Sequence, residues 1–413
     1  MKLAVLGTDA DILQLAATAR LDGHEIVWLG DVRAADAAAI SRLDPGLTDR
    51  AAQWELLLDS AKADAVLVGD GLASDELRAE RVKRLATEAV PQLIIHPAFE
   101  SVLPYYEVDM IRRETGAIVR HYNPVASHPI TSELSEWVRM GHPIVGPIHQ
   151  LTFERRVTDT SRTSVLAHLA RDVELMAAAA GDVRRVSAIG PAMSDANFAA
   201  LQIQLASTHL TSLRWSVVSA AKAGTGFELT LVGERGAVTL RGPLGTPGEL
   251  HDAWQLDAIG HGRDERLLDR HNAPLVAIQQ LADATAAPNS ELRATMSSWE
   301  AATRAMEVVD AVELSLQRGR TIEVYQQQLT ERLAFRGTMA AIGCGLLLVA
   351  FAAILLVTVL GGAEGRDRPL LIESWPLALL AVLAFFLLLQ GVPLLARKSR
   401  ADGREGDRRH RDG

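Results

Sequence analysis

The chain has 413 residues, which is enough for two domains and an additional segment. Its 48% hydrophobic and 23% charged residues are typical of a globular protein, and its net charge of -9 argues against a nucleic-acid partner. The single cysteine, Cys344, excludes a disulfide framework and a thiolate metal site, and we expect no bound metal.

The first 31 residues carry the pattern of a strand, a turn, a helix and a second strand. The apolar run Leu3 to Leu6 ends at Gly7, and residues Asp11 to Leu21 repeat apolar side chains at helical spacing. A second apolar run from Glu25 to Leu29 ends at Asp31. A βαβ unit of this kind is typical of the start of a dinucleotide-binding, doubly wound domain. The first apolar run is too short for a signal peptide.

The phosphate-binding fingerprint G-x-G-x-x-G falls on Gly7, Asp9 and Ile12, so two of its three glycines are replaced. The Asp9 carboxylate would lie at the helix N-terminus, where backbone amides and the helix dipole otherwise hold phosphate. Two negative charges about 4 Å apart repel by roughly 4 kcal/mol at an effective dielectric constant near 20. Two interpretations stay open: Thr8 or Asp9 is the N-cap of the helix, or Gly7 and Thr8 belong to a loop that still binds a dinucleotide.

Two further residues are candidates for cofactor binding. Asp31 fits an acceptor for a ribose hydroxyl, which favours NAD over NADP, although an exposed acid at a strand end is also common. Gly69 ends the predicted strand Ala65 to Val68 at the edge where open α/β sheets bind ligands.

Strands and helices alternate over residues 1–125, which predicts a Rossmann-type, parallel, doubly wound domain. Beyond the elements already named, the pattern predicts helices over 50–61, 75–89 and 105–115 and strands over 93–95 and 117–119. His121, Tyr122 and Asn123 follow the last strand, and we expect them to line a substrate cleft. A structural tyrosine and a turn asparagine before proline are the alternative for two of them.

Residues 126–325 have a different pattern, which predicts an α+β domain with a large antiparallel sheet. A helix over 164–180 precedes strand-like runs with short turns, and helices return over 272–286 and 292–318. One face of such a sheet is free to pair with another subunit, so we expect a homo-oligomer.

Two uncharged apolar spans predict a transmembrane hairpin after a linker at 326–336. Residues 337–363 and 374–396 each exceed the roughly 20 residues that cross a bilayer. Arginines dominate the tail at 397–413, and positive charge also precedes the first span. The positive-inside rule therefore places the N-terminal domains and the tail in the cytoplasm, with the chain in the membrane. The tail either contacts anionic lipid or is a disordered topogenic segment.

Several motifs in order resemble the Gfo/Idh/MocA oxidoreductases, the glucose-fructose oxidoreductase and inositol dehydrogenase family, over residues 1 to 325. They are the helix from Tyr106 to Gly116 with His121-Tyr122-Asn123 and His128-Pro129, the segment Gly181 to Ala188, the glycine-marked hairpin Leu231 to Leu240, and Met306 to Arg320. The resemblance implies a nicotinamide cofactor in a cleft between two domains, and oxidation or reduction of a sugar or cyclitol.

The resemblance also implies where proton transfer would occur. The family's Glu-Lys-Pro segment reads Ile95-His96-Pro97 here, so His96 replaces the lysine as a candidate general base or is a structural histidine. The family's aspartate and histidine on the first helix of the second domain fall on Ala167 and Arg171. His168 lies one position from the former, about 100° around a helix, and we expect it to need a register shift to face the cleft.

Two residues near these positions, Asp172 and Glu174, fit a solvated helix face.

Two functions stay open. The first is a membrane-anchored oxidoreductase that transfers hydride between NAD(P) and a sugar-like or cyclitol substrate. The second is a non-catalytic, membrane-tethered sensor or scaffold that keeps the fold and needs no cofactor.

Overall fold

The computed structural model describes residues 1–43, 46, 49–59, 62–72, 74–192, 194–220, 225–242, 254–268, 271–286 and 298–324. Within these ranges no helix is long and apolar enough to span a membrane. The predicted linker, both transmembrane segments and the basic tail lie outside the described residues, so the membrane hairpin stays a prediction.

A five-stranded parallel sheet forms the first part of the chain, as the sequence predicts. Its strands lie in the order β2-β1-β3-β4-β5. They are β1 Lys2–Leu6, β2 Glu25–Gly30, β3 Ala65–Val68, β4 Gln92–Ile95 and β5 Val119–Tyr122. The strands are largely apolar and buried because helices cover both faces of the sheet. Strands β1 and β3 are paired neighbours, so Gly7 and Gly69 meet at their C-terminal edge.

The helices of this part are α1 Ala10–Leu21 and α2 Ala37–Leu43 on one face, and α3 Asp75–Thr87 and α4 Leu103–Thr115 on the other. Local chemistry sets their ends. Ser74 caps α3 by accepting a hydrogen bond from the amide of Leu77, and Gly116 ends α4 at a φ of 71° that favours glycine. The helix predicted over 50–61 is instead a 3-10 segment, Ala51–Leu58, with a kink at Gln53.

The second sheet is mixed, so the prediction of an antiparallel sheet was wrong for one strand pair. The order of its nine described strands is β13-β12-β11-β10-β6-β9-β8-β7-β14, and β6 and β9 are parallel. The strands are β6 Ile148–Val157, β7 Val183–Ile189, β8 Gln202–Ser207, β9 Leu213–Ser219, β10 Gly226–Gly233, β11 Gly236–Arg241, β12 Gln255–Ile259, β13 Arg263–Leu267 and β14 Ile322–Glu323. A helical crossover links β6 to β7, so β7 and then β9 run in the direction of β6.

The remaining described helices are α5 Ile130–Met140, α6 Arg162–Ala180, α7 Ala273–Ala286 and α8 Trp299–Arg318. Helices α6 and α8 pack on each other, and α8 packs against β7 of the large sheet. Helix α7 packs instead against α1, through Ile278 and Leu281. Helix α7, which follows strand β13 of the second sheet, therefore packs on the first part of the chain.

The other face of the large sheet carries a row of polar side chains. Cross-strand pairing places these residues side by side: Gln204, Arg214, Thr152, Thr230, Thr239 and Asp257. All six are exposed or half-buried. This face is consistent with the predicted subunit interface and does not test it.

An aromatic contact joins the two sheets into one compact unit. Trp299 at the start of α8 stacks on Tyr105 of α4 with 4.9 Å between ring centroids, and both side chains are fully buried. The indole Nε1 also donates to the backbone oxygen of Tyr105 at 3.0 Å. The cleft between the sheets is therefore set by packed helices.

Candidate functional site

A cavity of about 750 Å³ opens between the C-terminal edge of the parallel sheet and the wall formed by β6, α6 and α8. The loops after β1, β3 and β4 form one wall, at the edge where doubly wound sheets bind ligands. Among the described lining residues, carboxylate side chains number seven and guanidinium groups five. The lining thus carries a net negative formal charge.

Asp9 is the N-cap of α1, which confirms one of the two interpretations of this loop. Its Oδ1 accepts from the amide of Ile12 at 2.8 Å, and its Oδ2 accepts from the amide of Asp70 at 2.7 Å. Burial raises the pKa of Asp9, although these two amide hydrogen bonds lower it in part. Its carboxylate thus binds the helix N-terminus and the loop after β3.

The other loop residues proposed for cofactor binding have structural partners. Thr8 is fully buried, and its hydroxyl donates to Asp36 at 2.8 Å. A Cβ on Gly71 would lie 2.4 Å from the Thr8 nitrogen, so the chain itself covers that amide. A Cβ on Gly69 would lie 2.6 Å from the Gly7 oxygen. Gly7 and Gly69 therefore let the two loops pack closely.

Asp31 is held by a basic side chain of the same domain. It ion-pairs with Arg81 of α3, and both side chains are less than one-fifth exposed. The Arg81 guanidinium also lies 5.2 Å from the ring centroid of Trp54. One carboxylate oxygen of the predicted ribose acceptor is therefore already paired within the protein.

His96 lines the cavity but is fully buried. Burial lowers its pKa to about 3; the nearby Glu174 opposes this shift in part, and His121 and Arg171 add to it. Its Nδ1 lies 3.5 Å from the hydroxyl of Tyr105, at the limit of a hydrogen bond. The imidazole is thus neutral at physiological pH and is a weak base there.

We expect His96→Gln to reduce the pH dependence of stability. The unfolded chain binds this proton below about pH 6.5, whereas the folded chain does so only near pH 3. The stabilisation by neutral His96 is therefore fully present above pH 6.5. Between pH 6.5 and 3 the free energy of unfolding falls by about 1.4 kcal/mol per pH unit, because one proton binds to the unfolded chain only. Denaturant unfolding between pH 6.5 and 4 measures it, with the exposed His149→Gln as control. Equal slopes for the wild type and His96→Gln would contradict a buried neutral His96.

Helix α6 presents Ala167, His168 and Arg171 to the cavity. The expectation that His168 needs a register shift was wrong, because the cavity wraps around enough of the helix to reach it. Burial lowers the pKa of His168 to about 3, and the positive charges of Arg155 and Arg171 lower it further. His168 is therefore a neutral polar group in the cleft.

His121, Tyr122 and Asn123 do not line the cavity, so that prediction was wrong. They are buried or half-buried behind it, because the strand β5 carries them towards α6. His121 Nε2 lies 2.6 Å from Glu174 Oε1, and the Asn123 amide donates to Glu174 Oε2 at 2.7 Å. Burial alone would raise the pKa of Glu174, but His121 and these hydrogen bonds lower it to about 2. Glu174 is thus no solvated surface residue.

A buried ion pair that the sequence did not reveal supports the cavity wall. Arg155 of β6 binds both carboxylate oxygens of Asp172, and Trp215 Nε1 donates to the same carboxylate at 2.9 Å. Asp172 is fully buried, which corrects its assignment to a solvated face. The three residues are distant in sequence, and no local pattern links them.

In the part of the chain that the structure describes, no group of three or more His, Cys, Asp or Glu side chains is arranged to hold a metal ion.

Solved dehydrogenase structures share this fold. A protein described as an NADPH-dependent oxidoreductase from Desulfitobacterium hafniense has a TM-score of 0.63 at 13% identity, over 78% of this chain and 97% of that one. A protein described as a myo-inositol dehydrogenase from Sinorhizobium meliloti has a TM-score of 0.56 at 14% identity, over 79% of this chain and 100% of that one. Levoglucosan dehydrogenase in complex with NADH has a TM-score of 0.60 at 11% identity, over 79% and 99%. The chain therefore shares the fold of these dehydrogenase structures.

No protein-family model matches the sequence, and no curated protein matches it significantly. At such low identities the similarity establishes the fold alone.

Proposed function

We propose that the cleft binds a small, uncharged, hydroxyl-rich ligand of the sugar or cyclitol class without hydride transfer. The observation that carries this proposal is the position of Asp9, whose carboxylate occupies the helix N-terminus that would hold a cofactor's pyrophosphate. The protein would then be a sensor or scaffold with a dehydrogenase fold and no resident cofactor.

The residues of the cleft do not fit a dinucleotide. A pyrophosphate carries two negative charges, and here it would meet the Asp9 carboxylate in a lining with an excess of carboxylates. The Thr8 amide is covered by Gly71, and Asp31 is paired with Arg81. The first feature removes an amide, and the second engages one oxygen of a carboxylate, that the fold uses for NAD.

Proton transfer to or from a substrate hydroxyl also lacks a suitable group. Ala167 has no titratable atom, and the guanidinium of Arg171 stays protonated. His96 is neutral and has a pKa of about 3, far below the value that suits a general base at neutral pH.

The cavity lining suits a polyol. Ser161, Thr163 and Ser164 line one side, although the Ser161 hydroxyl already caps α6 and donates to Asp159, while Phe227 and Trp254 give an apolar wall. Small-ligand sites commonly combine aromatic surface with a few polar groups that fix orientation.

Calorimetric titration of the full-length chain with a panel of neutral sugars and cyclitols tests this proposal, with sugar phosphates for comparison. We expect a neutral member to bind more tightly than its phosphate, and Ala167→Trp to abolish binding by filling the cavity. Ala38→Trp on the exposed surface of α2 is the control. Tight binding of phosphates alone, or binding unaffected by Ala167→Trp, would refute the proposal.

A second candidate is the NAD(P)-dependent oxidation or reduction of a sugar-like or cyclitol substrate. It is favoured by the fold shared with a structure that contains NADH, and it would have to use the weakly basic His168 of the cleft, whose pKa burial lowers to about 3. This candidate requires NADH consumption or formation with some member of the same panel, and its loss in His168→Gln.

We also propose that residues 337–363 and 374–396 anchor the protein in the membrane. We further propose that the large sheet pairs with a second copy of the chain through the face that carries the row of polar side chains. The uncharged length of the two spans and the polar row on the sheet support these proposals. We expect the protein to sediment with membranes after a carbonate wash, and to have the mass of a dimer in detergent. Extraction by carbonate or a monomer mass would refute the respective proposal.

A further inference from the structure

Arg171 crosses from the second part of the fold to the first. Its Nε donates to the backbone oxygen of His96 at 2.6 Å, at the end of β4. Its terminal nitrogen donates to Asp11 Oδ2 at 2.8 Å, in the first turn of α1. One side chain of α6 thus contacts two separate loops at the C-terminal edge of the parallel sheet.

The contact is sheltered and electrostatically favourable. Asp11 is 11% exposed and Arg171 22% exposed at their side chains, so water screens the pair only in part. Burial would lower the pKa of Arg171, but Asp11 and then Asp9 raise it overall. Arg171 therefore stays positively charged beside the Asp11 carboxylate.

The backbone of the same residue is also fixed. The Asn123 amide donates to the Arg171 oxygen at 3.0 Å, and to Glu174 one turn further along α6. The end of β5 is thereby joined to α6 as well. Three loops of the first sheet, after β1, β4 and β5, converge on one turn of this helix.

We propose that Arg171 is a built-in bridge that joins the two walls of the cleft and blocks the edge at which this fold binds a dinucleotide. In a dehydrogenase of this fold the bound cofactor lies between the same walls. Here a protein cation holds the α1 turn and the His96 loop to α6. Arg171 is thus a positioning residue that also determines specificity, whichever ligand binds in the rest of the cavity.

Hydrogen–deuterium exchange of the full-length chain tests the bridge. In Arg171→Met we expect the amides of the first two turns of α1 and of residues 96–99 to exchange about tenfold faster than in the wild type. Arg162→Met is the matched control, because Arg162 lies on the same helix and cavity but pairs with Glu313 of α8. Unchanged exchange in Arg171→Met, or equal acceleration in Arg162→Met, would overturn the proposal.

A second measurement separates the bridge from a general loss of structure. Adding Arg171→Met to Asp9→Gly should increase NADH affinity at least fivefold over Asp9→Gly alone, whereas adding Arg162→Met should not. If Arg171→Met does not fold, Asp11→Asn removes the charge of the partner and should give the same pattern. No gain from either variant would refute the blocking role while leaving the sugar-ligand proposal untouched.

Discussion

Asp172→Ala should lower the free energy of unfolding by about 3–5 kcal/mol, the range for removing one partner of a buried ion pair. The substitution leaves the Arg155 guanidinium buried without its ionic partner, since this side chain is 8% exposed and Asp172 is not exposed at all. It also removes the acceptor of the Trp215 indole. Denaturant unfolding at neutral pH gives the value.

Asp182→Ala is the control for this prediction. Asp182 pairs with Arg304 at 3.1 Å, but both side chains are about one-third or more exposed, so we expect a loss below about 1 kcal/mol. If the two alanine variants lost similar free energy, the Asp172 pair would not support the cavity wall as described.

Asp9→Gly should increase NADH affinity at least tenfold, which corresponds to about 1.4 kcal/mol. The full repulsion between two charges about 4 Å apart is roughly 4 kcal/mol at a dielectric constant near 20, and solvent screens part of it. The loss of the N-cap costs the helix little, because glycine is tolerated at that position. Nicotinamide fluorescence during an NADH titration measures the change.

Asp22→Gly makes the same substitution at the other end of α1, where Asp22 is the C-cap residue. It changes the net charge equally but leaves the phosphate loop intact, so its NADH affinity should equal that of the wild type. An affinity in Asp9→Gly that is unchanged or lower would show that the carboxylate does not exclude the cofactor.

Local patterns were sufficient for most of the fold. The strand Ala65–Val68 agrees with the predicted bounds, because short apolar runs between turn residues are local signals. The N-cap at Asp9 follows from the same kind of signal. The helix α5 and the strands β12 and β13 were missed; β13 carries charges at four of its five positions, which hides it among polar segments.

The cleft required information that is not local. The local pattern places Asp172 and Glu174 on a solvated helix face. It cannot reveal their partners Arg155, Trp215 and His121, because these lie 17 to 53 residues away. The partners of Asp172 come together through the parallel pairing of β6 with β9, which the sequence did not indicate, and those of Glu174 lie at the end of β5. The one usable signal for the bridge was an arginine at the position where the family resemblance implies a histidine.

Calorimetric titration of the wild-type, full-length chain with NADH, up to millimolar concentration, tests the central claim most directly. If Asp9 and Arg171 exclude a dinucleotide, the titration shows no saturable binding. Micromolar binding of NADH would contradict the account and would make the chain an oxidoreductase candidate, with His168 as the first residue to replace.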